Sequence, residues 1–263
     1  MRENSIKKAL REGKTVVGGA VSQLKGVVIP QIYAAAGFQF IYIDMQHSAY
    51  TVEDVLELVV GARAAGIDNF VRTPSLDPSL ITRLLDSGVQ GIMMPNLRTV
   101  DEVVQVVKAV KYPPEGARSI APVRLHTDFE KPDVKVMAQR ANEQTLVVIQ
   151  IENEAALDHI EEISRVPGVD VLFVGPYDLS ESLGHLGQIE HPEVLAGIEK
   201  IIKVSLRAGI APGMTLPFAL RNAQRWLSSG LKLVSYSNDI ELILEGVSQG
   251  VKKIKDLLEN QTH

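Results

Sequence analysis

Leu146-Val-Val-Ile-Gln-Ile-Glu152 and Val171-Leu-Phe-Val-Gly-Pro-Tyr-Asp178 are two short apolar runs, each delivering an acidic residue at or just past its C-terminal end. Runs of this kind read as buried strands of a parallel sheet. An acid where such a strand emerges is where parallel α/β folds place metal ligands and catalytic groups. The pair therefore predicts an enzyme, with Glu152 and Asp178 at one end of its sheet.

Outward from these runs, the same alternation of apolar strand and amphipathic helix fills the chain. Candidate strands fall at residues 15–22, 40–45, 69–73, 91–95, 146–152, 169–175, 211–216 and 232–236. That is the strand number of a closed (β/α)8 barrel, a TIM barrel, in roughly 250 residues. Gly37, Gly66, Gly88, Gly168, Gly209 and Gly230 each stand shortly before a run, as helix C-caps do. No linker divides the chain, so residues 1–263 are expected to be one barrel domain. A doubly wound open sheet uses the same alternation, but the phosphate-binding turn usual there is missing.

Composition narrows the partners. The 45% hydrophobic content of 263 residues supplies a sizeable core. A formal charge of -5, with basic residues scattered, leaves no footprint for nucleic acid or an acidic membrane. No cysteine is present, which excludes disulfides, thiolate catalysis and sulfur-ligated metals and suits a reducing compartment. No apolar run approaches the roughly 18 residues of a membrane span, and the N-terminus has no apolar leader. A soluble cytoplasmic protein acting on a small molecule is expected.

Two regions depart from the repeat. Residues 112–133 hold Pro113, Pro114, Pro122 and Pro132 together with Arg118, Arg124 and His126, a stretch long enough for a lid or a subunit contact. Residues 238–258 place Ile240, Ile243, Leu244, Val247, Val251, Ile254 and Leu258 at helical spacing. This segment reads either as the helix that closes the barrel or as one exchanged with another subunit.

If the runs are barrel strands, their C-terminal ends line one pocket: Asp44 and His47, Arg72, Asn96, Gln150 and Glu152, Asp178, Thr215 and Ser235. Glu152 and Asp178 are hard oxygen donors suited to Mg2+, Mn2+ or Co2+, with positions left for water and substrate. Each acid alone also reads as a cap on the helix that follows. Of the six histidines, His47 is the one at a strand end, and Asp44 three residues earlier is placed to orient it for acid/base work. Arg72 at the end of a buried strand requires an anion, either a substrate or a salt bridge to Glu152 or Asp44. There is no G-x-G-x-x-G, no P-loop and no G-x-S-x-G elbow, and no lysine ends a strand. A Schiff-base mechanism is thereby disfavoured, leaving a metal as the electron sink.

These residues resemble the metal-dependent, pyruvate-specific class II aldolases of the HpcH/HpaI type, which include 4-hydroxy-2-oxoheptanedioate, 2-dehydro-3-deoxyglucarate and 2-keto-3-deoxy-L-rhamnonate aldolases. The resemblance rests on Ala36-Gly-Phe, Ile43-Asp-Met-Gln-His47, Val71-Arg-Thr-Pro, Arg83-Leu-Leu-Asp-Ser-Gly88, Tyr112-Pro-Pro-Glu-Gly-Ala-Arg118, Gln150-Ile-Glu152, Val174-Gly-Pro-Tyr-Asp-Leu-Ser180 and His191-Pro192, in that order. It implies a (β/α) barrel assembled as a homohexamer with an exchanged C-terminal helix. It also implies reversible cleavage of a 4-hydroxy-2-oxo acid into pyruvate and an aldehyde through a metal-stabilised enolate. On this resemblance Glu152 and Asp178 hold the divalent ion, and the backbone of Gly175, Pro176, Tyr177 and Asp178 meets the pyruvate carboxylate. Arg72 faces the 2-oxo oxygen, Gln150 contacts substrate, His47 with Asp44 moves the C4 hydroxyl proton, and Asp86 is a second partner for a neighbouring subunit's histidine.

The chain departs from the family at Gln46, where a glutamate is usual, at Pro74-Ser-Leu-Asp-Pro78, at Ala121-Pro-Val-Arg-Leu-His126 and at Ser235-Tyr-Ser-Asn. Rival readings keep the metal enolate for oxaloacetate decarboxylation or a citrate-lyase-like acyl cleavage, or leave a non-catalytic 2-oxo-acid-binding protein.

Overall fold

The structure is a computed structural model that describes residues 2–260; Met1 and residues 261–263, including His263, lie outside the described residues. Strands β1 (Val16–Val21), β2 (Phe40–Asp44), β3 (Asp68–Arg72), β4 (Gly91–Met94), β5 (Leu146–Ile151), β6 (Val171–Val174), β7 (Ala211–Leu216) and β8 (Leu233–Asn238) run parallel. They follow chain order round a closed barrel, with β8 pairing back onto β1. The expected eight-stranded (β/α) barrel is therefore the observed fold, and each strand ends within two residues of its sequence run.

Helices connect the strands: α1 (Ser5–Arg11), α2 (Val28–Ala35), α3 (Val52–Ala65), α4 (Pro78–Asp86), α5 (Val100–Val110), α6 (Val134–Gln144), α7 (Glu154–Asp158), α8 (Ile160–Ile163), α9 (Pro176–Ser182), α10 (Pro192–Arg207), α11 (Ala223–Ser228) and α12 (Asp239–Glu259). Their limits follow local chemistry. Thr51 and Asp54 form a reciprocal capping box that starts α3, and Gly66 stops it in the left-handed region at φ 76°, which a Cβ would disfavour.

The period of two along each strand decides what faces where. Phe40, Tyr42, Phe70, Val148, Val171 and Phe173 fill the barrel interior together with Ile6, which α1 inserts from the N-terminal end. Ile41, Ile43, Val71, Ile149, Leu172 and Val174 point outward into the layer under the helices. Continuing the inward series one step toward the C-terminal ends reaches Asp44, Arg72, Gln150 and Gly175, and a second step past Val148 reaches Glu152. The interior is thus apolar below and polar at its mouth.

Helix α12 departs from the closing-helix reading. Only Asp239, at its start, is buried: it accepts hydrogen bonds from the backbone N–H groups of Ser22 (3.1 Å), Gln23 (2.9 Å) and Leu24 (2.7 Å) and from the Ser22 hydroxyl (2.8 Å). Beyond that anchor Ile240, Ile243, Leu244, Val247, Val251, Ile254 and Leu258 are exposed, with Leu244 at 62% and Val247 at 61%. A helix that closed its own barrel would bury this stripe. Among the described residues, no helix is long and apolar enough to cross a membrane.

Candidate active site

Asp44 ends β2 and Arg72 ends β3, and the two are direct register partners. Arg72 Nε donates to Asp44 Oδ1 at 2.9 Å, and Nη2 donates to Oδ2 at 2.6 Å. This bidentate fork fixes the guanidinium plane as a single bond could not. The guanidinium carbon also stands 5.9 Å from the ring centroid of Tyr42, one inward step below Asp44. Burial works against the Arg72 charge, but the Asp44 hydrogen bonds and the nearby Tyr42 and Glu152 outweigh it, so its pKa shifts upward and it stays cationic.

Glu152 stands one residue past β5 and is 2% exposed. Its Oε1 accepts the backbone N–H of Asn96 at 2.6 Å, and its Oε2 accepts the Gln150 amide. Arg72 Nη1 lies 3.5 Å from Gln150 Oε1, so a polar chain runs Asp44, Arg72, Gln150, Glu152 across the mouth. Asn96 turns its amide inward from a left-handed backbone, φ 58°, a conformation asparagine tolerates better than most residues. Burial pushes the Glu152 carboxyl above its usual range and the charge of Asp178 adds to that, against the pull of Asn96, Gln150 and Arg72.

The floor beside Glu152 is kept open by Gly175. A Cβ there would stand 2.7 Å from both Glu152 Cβ and Oε2, and 2.8 Å from Gln150 Nε2. Asp178 follows in the first turn of α9, exposed. A buried carboxylate, a second carboxylate whose charge raises it, and a cradle that a side chain would fill make an all-oxygen donor set fitted to a hard divalent cation. The cation would relieve the repulsion between the two acids.

A cleft of roughly 800 Å³ opens over this layer, lined by His47, Arg72, Gln150, Gly175, Tyr177 and Asp178 among others. Pro176 at the first turn of α9 lines it as well, so six of the residues expected from the sequence converge with it on one cavity. Thr215, on β7, shares the wall.

Two expectations are corrected, those for the Asp44–His47 pairing and for a lid over residues 112–133. Asp44 does not orient the His47 ring: its carboxylate is occupied by Arg72 and by the Gln46 backbone N–H at 3.0 Å, and His47 stands exposed in the loop beyond. Asp86, expected to serve a neighbouring subunit's histidine, ends α4, which runs back toward the N-terminal ends of the strands and away from its own chain's mouth. It accepts from Arg118 Nη2 at 2.6 Å and stands 4.0 Å from His126 Nδ1. The segment 112–133 is consequently no lid over this chain's mouth: Arg118 and His126 are buried against the end of α4, while Arg124 is exposed with Nη1 on its neighbour's carbonyl.

The sequence reading placed Asn96 at the mouth without its role, and it missed Tyr42. Asn96 acts through its backbone, to which composition is blind. Tyr42 was within reach, since it sits two residues before Asp44 and therefore on the same face.

The fold and its polar mouth define a (β/α)8 enzyme with a carboxylate pair and a clamped arginine at the C-terminal ends of the strands. The chain belongs to the HpcH/HpaI aldolase/citrate lyase family, whose model matches residues 25–245. It is thereby an enzyme of the aldolase and lyase class. It is 36% identical over 243 residues to a pyruvate aldolase of Rhizobium etli, covering 92% of this chain and 94% of that one. It is 35% identical over 243 residues to a 4-hydroxy-2-oxo-heptane-1,7-dioate aldolase of Shigella sonnei, covering 92% and 91%. Among solved structures, an HpcH/HpaI aldolase from Desulfitobacterium hafniense superposes with a TM-score of 0.90 at 34% identity, covering 95% of this chain and 96% of that one.

Proposed function

We propose that the chain is a metal-dependent class II aldolase that reversibly cleaves a 4-hydroxy-2-oxo acid into pyruvate and an aldehyde. The observation that carries this reading is the polar chain from Asp44 through Arg72 and Gln150 to Glu152, of which Arg72 and Gln150 line the same cleft as Asp178. Glu152 and Asp178 would hold Mg2+, Mn2+ or Co2+. When bound, that cation supplies positive charge where the 2-oxo oxygen becomes negative during carbon–carbon bond breaking.

The remaining work falls to the chain. Arg72 is held rigid by Asp44 and offers a preorganised cation to the same oxygen, needing no rearrangement as charge develops. Gln150 links Arg72 to Glu152 and can contact the substrate. Gly175, Pro176, Tyr177 and Asp178 form the wall that would receive the pyruvate carboxylate. His47 lines the cleft and would take the C4 hydroxyl proton on cleavage and return it on condensation. Because Asp44 is committed to Arg72, His47 works without that carboxylate. Asp86 enters only if a neighbouring subunit brings it to another chain's mouth.

The exposed stripe of α12 supports a homo-oligomer, a hexamer by the family resemblance, in which this helix docks on a second copy. A cytoplasmic setting is in keeping with a cysteine-free chain.

Pyruvate release from a 4-hydroxy-2-oxo acid tests the reading, with Mn2+ present and after EDTA. Cleavage that needs the cation and is slowed by His47→Ala, with pyruvate binding retained, is the expected outcome. Undiminished cleavage in EDTA would overturn it.

A further inference from the structure

On the rim of the barrel, away from the carboxylate pair, the loop between α9 and α10 brings two imidazoles and a carboxylate together. His185 Nε2 lies 2.8 Å from Glu193 Oε2, and the His185 and His191 rings stack at 3.4 Å between centroids with 22° between planes. Among the described residues, this is the one group of three such side chains whose ligand atoms all fall within 4.8 Å of one another. We propose that His185, His191 and Glu193 form a second, independent metal site that takes a divalent transition cation of the zinc class.

The donor chemistry separates the two sites. Imidazole nitrogen suits Zn2+, Ni2+ and Cu2+, whereas the all-oxygen set of Glu152 and Asp178 suits Mg2+ or Mn2+. Two imidazoles and a carboxylate make a three-ligand zinc set with a further position left for water. Zinc bonds of about 2.0–2.2 Å at tetrahedral angles set ligand atoms roughly 3.3–3.6 Å apart. With ligand atoms within 4.8 Å of one another, the group would close on a cation by turning at least one of the two stacked rings, because a cation lies in the plane of each imidazole that binds it.

That backbone is itself held. The His185 N–H donates to the Ser180 carbonyl at 2.7 Å, Gln188 N–H to the His185 carbonyl at 2.8 Å, and His191 N–H to the Gln188 carbonyl at 2.9 Å. Glu193 also provides the negative charge needed in the first turn of α10, where a cation alone would meet the positive end of the helix dipole. A bound cation would fasten the loop to α10. Ile189 and Glu190, within that loop, line the cleft, so the cation would brace one wall of the active-site mouth.

The test is calorimetric titration of tag-free, EDTA-treated protein with Zn2+ and, separately, Mn2+. His185→Asn and Glu193→Gln address the rim, and Glu152→Gln addresses the mouth. His191 is left intact because its ring caps α10. The expected result is that Glu152→Gln still binds one Zn2+ per chain, and that adding His185→Asn or Glu193→Gln weakens this binding by at least ~10-fold. In the otherwise native chain, His185→Asn should leave Mn2+ binding and aldol cleavage at their starting levels in Mn2+. Failure of Glu152→Gln to bind Zn2+, or Zn2+ affinity indifferent to both rim substitutions, would overturn the site and leave an ordinary His185–Glu193 ion pair. Neither result depends on what the mouth catalyses.

Discussion

Arg72 and Asp44 face each other across the β2–β3 ladder as a two-pronged pair, Nε to Oδ1 at 2.9 Å and Nη2 to Oδ2 at 2.6 Å. The arrangement leaves Nη1 as the prong that reaches toward Gln150 and the cleft. Lysine's single ammonium nitrogen cannot reproduce the planar two-pronged grip on Asp44 with a further donor held in the direction of Nη1. Arg72→Lys should lower kcat/KM for cleavage by ~10²–10³-fold, the effect of losing one preorganised oxyanion donor, with circular dichroism unchanged. Asp44→Asn should cost less, because it loosens the guanidinium without removing it. Steady-state kinetics on both variants check the order, and an Arg72→Lys enzyme with native kcat/KM would contradict the assigned role.

Gly175 is required for space rather than for backbone freedom, since its φ of -104° is open to any residue. A methyl group there would stand 2.7 Å from Glu152 Oε2. Gly175→Ala should displace Glu152 and weaken Mn2+ binding by ~10–100-fold, comparable to the loss of a ligand's supporting contacts. Calorimetric Mn2+ titration reads this directly. Unchanged affinity would mean that Glu152 is not positioned by the cradle.

At the opposite end of the barrel, Lys7 Nζ donates to the Thr145 carbonyl at 2.7 Å and to Asp170 Oδ2 at 2.8 Å, and Lys111 Nζ also donates to Thr145 at 3.0 Å. Burial first, then repulsion from Lys7, brings Lys111 down from 10.5 to about 7. Between those two values the unfolded chain binds a proton that the native chain does not, so this group makes stability rise with pH across the window. Urea midpoints below, within and near the top of the window should climb, and the climb should flatten in Lys111→Met. Parallel profiles for the two proteins would contradict the assignment.

The stripe on α12 leads to a prediction about assembly. Leu244→Glu places a charge at the centre of the exposed face while the Asp239 anchor stays intact. Light scattering after size exclusion should show the native chain as an oligomer and the variant as a smaller species. A native chain that runs as a monomer would contradict the docking of α12 on a second copy.

Much of the fold was legible because a buried parallel strand is nearly pure side-chain pattern. The run 146–152 shows an apolar interior, a turn to polarity at Gln150 and an acid at Glu152, and the structure follows it. The pairing of Asp44 with Arg72 was legible only as one alternative beside substrate and Glu152, and the local spacing to His47 pointed elsewhere. Asp-x-x-His is a local spacing, whereas Asp44 and Arg72 meet through strand register, which only β2 beside β3 reveals. The amide of Asn96 was hidden for a related reason, since its role depends on φ rather than side-chain type. For α12, the periodicity correctly marks an amphipathic helix, but it carries no information about whether the apolar face meets its own barrel or another.

The most direct test is exchange of solvent deuterium into the methyl group of pyruvate, followed by NMR, with Mn2+ or Mg2+ and after EDTA. The expected result is exchange that needs the cation and is abolished in Glu152→Gln. Exchange that persists in EDTA or in Glu152→Gln, or no exchange with any divalent cation, would contradict a metal-supported pyruvate enolisation at this mouth.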